Sequence, residues 1–164
     1  MRKQLIGFAV LCSIFFSCSH TRTLSPPNIL LGWLTSEQLF KDFPAYQEEK
    51  QLYQPDENMI QQLQRLDHTF DVLVFLGIWC PDSKREVPRF FSILDRLPAS
   101  SWNVRLYGLD RRSQDTTDMR EKYQVEFIPT FIIYQNEQEI GRIAERPMLS
   151  LEQDLLDICS SASQ

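Results

Sequence analysis

The sequence predicts an α/β domain, a mixed β-sheet flanked by helices on both faces and preceded by an N-terminal helical extension. Three observations carry that prediction. Residues 72–79, "VLVFLGIW", form a continuous apolar run of β-branched and aromatic residues, the pattern of a central strand buried on both faces. A helical segment separates this run from a second strand, which is the arrangement of a parallel β-α-β unit. Two later strands flank the turn "QNEQ" and read as an antiparallel hairpin.

The elements follow in order. Thr35-Ser36 open "SEQLFKDF", where Leu39, Phe40 and Phe43 recur at helical spacing behind a capping residue. A second helix begins near Pro55-Asp56, residues suited to a first turn, with Met59, Ile60, Leu63 and Leu66 as its apolar face. After the strand at 72–79, residues 83–97 carry Val87, Phe90, Phe91 and Leu94 at helical spacing, with Pro88 expected to kink the helix. Residues 103–110 are the second strand and 113–123 a short helix. The hairpin strands lie at 130–134 and 139–145, and residues 150–159 close the chain with a capped amphipathic helix. The order is α-α-β-α-β-α-β-β-α.

The first residues differ from the rest. Arg2 and Lys3 precede an apolar or small run from Leu5 to Phe16, too short for a membrane span, which needs ~20 residues. A positive flank with a short apolar run reads as a secretory signal. The run ends in "FFSCS", and Ser17-Cys18 resembles the cleavage site of a bacterial lipoprotein signal, with Phe15 where Leu is usual. The reading is therefore a signal peptide at 1–17, a lipidated Cys18 with a polar, Pro-containing tether to residue 28, and a domain at 29–164 with its core at about 55–160. Losing residues 1–17 removes two basic and no acidic residues, taking the formal charge from −5 to −7. That charge and the lack of a basic stripe argue against nucleic acid, and leave acyl chains as the sole means of membrane attachment. The expected location is the bacterial cell envelope, facing the periplasm.

Export changes the cysteine arithmetic. Cys12 leaves with the signal and Cys18 is acylated, so Cys80 and Cys159 remain as thiols in an oxidising compartment. Cys80 follows the buried strand and stands at a helix start, where free N–H groups and the helix dipole stabilise a sulfur anion. Pro81 suits a first helical turn. Asp82 works against the anion, while Lys84 and Arg85 favour it. A second motif, "FIPTF" at 127–131, heads the first hairpin strand with Pro129. His20 lies in the polar tether and His68 in the loop "DHTFD" with no second His, Cys or Asp cluster, so no metal and no cofactor is expected.

Together, "WCPDS" after a buried strand, Pro88 eight residues past the Cys, a "GLD" strand end and Ile-Pro-Thr before a hairpin resemble the thioredoxin superfamily. The resemblance implies Cys80 as the nucleophile, Trp79 shielding it, and Ile128 joined by a cis bond to Pro129 beside it. Pro81, Ile128 and Pro129 would then meet a docked peptide with Trp79. With the lipoprotein signal, the chain looks like the thioredoxin-like lipoproteins of bacterial envelopes. Three departures stand out. Ser83 replaces the resolving Cys, Val74 the buried Asp that shuttles protons, and Leu106 the Lys partner of that Asp. Losing both partners together leaves no orphan buried charge.

The expected activity is thiol–disulfide exchange through Cys80 as a single thiol, with Ser83 donating to its thiolate. The partners are protein thiols or disulfides of the envelope, and an external thiol or redox partner that resolves the mixed disulfide. The alternative is a thioredoxin-fold binding or assembly scaffold with a relic Cys. A monothiol glutaredoxin with an iron–sulfur cluster is disfavoured by the secretory signal, and a peroxidase by the missing Pro-x-x-x-Thr-x-x-Cys segment. Cys159 lies nine residues into the last helix, about 13 Å from its start, and is expected to pack the helix end rather than reach Cys80.

Overall fold

Asp71 and the apolar residues after it form the central strand, with pairing on both sides. The computed structural model describes residues 30–111 and 118–162. Within them the chain runs β1 (Gly32–Leu34), α1 (Ser36–Asp42), α2 (Pro44–Leu52), α3 (Glu57–Leu63), β2 (Phe70–Leu76), α4 (Pro81–Leu94), a 3₁₀ turn (Ala99–Ser101), β3 (Trp102–Gly108), α5 (Met119–Lys122), β4 (Thr130–Gln135), β5 (Gln138–Ala144) and α6 (Leu151–Ser161). The strands form one sheet in the order β1-β3-β2-β4-β5. β2 is parallel to β3 and antiparallel to β4, so the expected mixed sheet is present.

Side chains of β2 alternate between two cores, as a pleated strand requires. Val72, Val74 and Leu76 join Leu106, Phe131 and Ile133 on one face, packed by Leu39, Tyr46, Ile60, Leu63, Val87, Phe90, Ile93, Leu155 and Cys159. Leu73, Phe75, Tyr107 and Ile132 line the other with Leu109 and Val125, next to Met119 and Tyr123 of the α5 segment. Helices thus lie on both faces, unequally: among the described residues only α5 covers the second. Val74 and Leu106 are register partners across β2 and β3, both buried. The core stays apolar at the two positions where the resemblance places an ion pair.

Local chemistry explains most boundaries. Thr35 caps α1 through a reciprocal box with Gln38, and Asp56 caps α3 by accepting from Asn58 and Met59. Ser150 accepts from Gln153 to start α6. The hairpin turns on Asn136 and Glu137, both with positive φ, the backbone of a two-residue turn that matches strand twist.

Several expectations shift. The strand expected over 72–79 spans Phe70–Leu76 because the chain turns at Gly77, where the Cys80 N–H donates to the Gly77 carbonyl at 2.9 Å. The helix expected from 83 starts at Pro81 and runs through Pro88. The expected helix at 113–123 is confined to Met119–Lys122 in the part described; residues 112–117 lie outside the described residues. Besides the 3₁₀ turn, two elements have no counterpart in the sequence reading. β1 is three residues long, too short for periodicity. α2 is polar, "PAYQEEKQL", and buries only Tyr46. The signal peptide, Cys18 and the tether to residue 28 also lie outside the described residues.

Candidate functional site

The end of β2 and the start of α4 are joined by Gly77-Ile78-Trp79-Cys80, and this turn positions the thiol. A Cβ on Gly77 would stand 2.8 Å from Ile128 Cδ1 and 2.9 Å from the Trp79 ring. Only glycine lets strand end, Trp79 and the Pro129 loop close together here. The Gly77 N–H donates to Ser83 Oγ at 3.2 Å, tying the turn to the first turn of α4.

Cys80 is the N-cap of α4, with extended backbone and no side-chain capping bond. The Lys84 N–H donates to its carbonyl at 3.0 Å. Cys80 is 7% exposed, and its Sγ donates to the Ile128 carbonyl at 3.3 Å. The Ile128–Pro129 bond is cis, as the resemblance implies. The Pro129 carbonyl accepts from the Glu145 N–H at 2.7 Å, and Thr130 Oγ1 donates to the Phe127 carbonyl at 2.6 Å, which fixes the loop against β5. Trp79 is half-buried, donates Nε1–H to the Leu109 carbonyl at 3.2 Å, and carries the Arg111 guanidinium 5.3 Å from its ring. Pro81 is exposed beside it, and so is Phe127.

Trp79, Cys80, Pro81, Ile128 and Pro129 are therefore neighbours, drawn from segments 48 residues apart. Ser83 is also present, fully buried, its oxygen accepting from the Gly77 N–H while its own proton stays available to donate. The charge balance, which the sequence leaves open, is set by tertiary partners. Asp82 accepts from Arg85 at 2.7 Å and from Arg146 at 3.1 Å, and Arg85 also bonds Glu86 at 2.5 Å. Arg85 is thus spent on carboxylates. Arg146, 64 residues away in sequence, helps offset the acidic residue inside the motif. No local pattern around "ERPM" signals this role; it exists because β5 returns beside α4.

Cys159 is fully buried in the first core, and burial alone pushes its thiol up to about 12. Neither Cys80 nor Cys159 is in a disulfide. Among the described residues no group of His, Cys, Asp and Glu is placed to hold a metal ion.

The family model described as thioredoxin matches residues 41–153. Two solved structures share the architecture. One is a protein of unknown function from Pseudomonas aeruginosa, 21% identical over 79% of this chain and 87% of that one, with a TM-score of 0.60. The other is an HIV epitope scaffold, 19% identical over 79% and 86% of the two chains, with a TM-score of 0.53. No curated protein sequence matches the chain.

Proposed function

The chain belongs to the thioredoxin family, and from that premise we propose that it exchanges disulfides through Cys80 as a single nucleophile in the bacterial cell envelope. The observation that carries the reading is the placement of the Cys80 sulfur. It caps α4, lies 3.3 Å from the carbonyl that precedes cis-Pro129, and has a buried serine three residues on instead of a second thiol. An anion at this helix start meets the positive end of the dipole.

The chemistry follows from one sulfur. The Cys80 thiolate attacks one sulfur of a client disulfide; a new S–S bond forms and the client's own bond breaks. The leaving client sulfur carries away the electron pair and takes a proton from water. A second thiolate, from the client or from a redox partner, then attacks the mixed disulfide, and Cys80 leaves as thiolate. Attack by another client thiol gives isomerisation; absence of one gives client capture. Trp79, Pro81, Ile128 and Pro129 form the surface that holds the client chain, and Ser83 fixes the turn without resolving anything.

A second reading, a binding or assembly scaffold, is favoured by one observation: Cys80 is only 7% exposed. One experiment separates the two. Acid-quenched, alkylated cell extracts are run without reductant and probed for complexes that Cys80→Ser abolishes. Mixed disulfides lost in that variant support exchange; partners that persist unchanged in Cys80→Ser support the scaffold and end the exchange reading. The envelope location rests on Ser17-Cys18 at the end of the apolar run. Intact-mass measurement should find a diacylated mature chain beginning at Cys18; an unmodified Cys18 removes the lipid anchor.

A further inference from the structure

Among the described residues a single buried side-chain polar atom has no hydrogen-bond partner, the Oη of Tyr46. Tyr46 is 1% exposed and belongs to the first turn of α2, a helix that buries nothing else. A polar helix bringing in one aromatic residue with an unmatched hydroxyl needs a reason, because a buried polar group without a partner is costly.

Packing shows which end of α4 Tyr46 lies towards. Contacts step down α4 as the chain steps back through the extension. Glu57 pairs with Arg96, the Lys50 carbonyl accepts from Ser92, and Glu49 pairs with Arg89. Tyr46 is the next turn back, towards the end of α4 that Cys80 caps. Burial, and after it the charge of Cys80, push the Tyr46 hydroxyl's pKa up, so it stays a neutral donor throughout the physiological range. Cys80 is the single ionisable group acting on it.

The sulfur has a matching need. In the thiol form Sγ donates to the Ile128 carbonyl. Once ionised it has nothing to donate and faces a carbonyl oxygen, an unfavourable pair. Beyond the first-turn N–H groups of α4 and the Ser83 hydroxyl, which accepts from Gly77 and keeps its own proton, the surroundings are poor in donors: Pro81 has no N–H, and Val74 and Leu106 offer no polar side-chain atom.

Resting on the single-thiol reading above, we propose that the Tyr46 hydroxyl, unpartnered while Cys80 donates to Ile128, becomes a buried donor to the Cys80 thiolate, supplied by the N-terminal extension. The step moves no proton through Tyr46. When an external thiolate attacks the mixed disulfide, the bond between Cys80 and the client breaks, and Cys80 leaves with the electron pair. The Tyr46 O–H then meets that charge, as it does before the initial attack.

The test is Tyr46→Phe in the full chain, which removes one oxygen and keeps the ring. The rate of Cys80 alkylation by iodoacetamide is followed against pH, with a melting curve for each protein. A hydrogen bond to a charged group predicts a profile displaced upward by about one pH unit, a roughly tenfold loss of thiolate on its acidic side. The melting temperature should hold or rise, because an unmatched buried hydroxyl has gone. An unchanged profile in the folded variant overturns the assignment. Should the variant not fold, wild-type protein labelled with carbon-13 at the tyrosine ring carbon bearing oxygen gives the answer. The Tyr46 resonance should shift as Cys80 titrates and stay fixed in Cys80→Ser; a resonance indifferent to Cys80 refutes the proposal. Client capture, measured in parallel, keeps the two ideas apart. Capture with an unchanged alkylation profile sinks the Tyr46 role alone, and a Tyr46-dependent profile without capture sinks disulfide exchange alone.

Discussion

Ser83→Cys tests whether a redox frame survives around the lone thiol. Ser83 is fully buried and accepts from the Gly77 N–H at 3.2 Å. Sulfur accepts poorly, so the reduced variant should lose about 1 kcal/mol with that bond. Positions 80 and 83 share the first turn of α4, closed by the Lys84 N–H bond to the Cys80 carbonyl at 3.0 Å. Three residues advance a helix by about 4.5 Å, inside the ~7 Å separation of Cα atoms that a disulfide tolerates. Closing a four-residue loop removes unfolded-state entropy equivalent to about 2 kcal/mol. The oxidised variant should therefore exceed the reduced one by about 2 kcal/mol and wild type by about 1 kcal/mol. In a domain of this size each kcal/mol moves the melting temperature by about 3–5 °C. Melting curves with and without reductant, and insulin turbidity with dithiothreitol, read both consequences. Failure of Cys80 to form a disulfide with the sulfur introduced three residues on would refute the geometry. A link that forms but leaves insulin intact would show that the apolar Val74–Leu106 pair, not the missing sulfur, prevents turnover.

Three further outcomes are expected. Alkylation of native protein near pH 8 should modify Cys80 and spare Cys159, and non-reducing peptide maps should contain no Cys80–Cys159 link, since Cys159 is fully buried. The Cys159 thiol also carries a pH signature: its folded pKa, about 12, lies above the unfolded value of 9.0, so its contribution is complete below pH 9 and is lost as pH climbs towards 12. Denaturation at stepped alkaline pH should fall less steeply in Cys159→Ala. Tyr53→Phe should cost about 2 kcal/mol in urea denaturation, because buried Glu152 accepts from Tyr53 Oη at 2.8 Å and otherwise keeps only the Asp56 N–H at 3.3 Å. Gly77→Ala should disturb Trp79 fluorescence and weaken client capture, since its Cβ would meet both Ile128 and Trp79 inside 3.0 Å.

Elements whose cause is local are legible in the chain before it folds. The run after Asp71 reads as a two-sided buried strand because it is short, β-branched and aromatic, and Thr35, Asp56 and Ser150 announce helix starts through short-range capping bonds. "WCPDS" and "FIPTF" identify the residues that meet at the site, because a strand end, a helix start and a proline at a strand head each constrain their neighbours. What depends on distant partners emerges only once the sheet and helices are assembled. α2 has no apolar stripe to betray it, and its one buried residue acquires meaning only where α2 lies against α4. Arg146 reaches Asp82 because β5 returns beside the motif, a pairing across 64 residues. Ser83 reads in sequence as a donor to the Cys80 thiolate, and the fold adds a role no local pattern announces: its oxygen accepts from the Gly77 N–H and ties down the turn. Local propensity sets which residues start and stop each element. The direction of a hydroxyl or a guanidinium inside a packed core is decided by whichever neighbours the completed fold brings within reach.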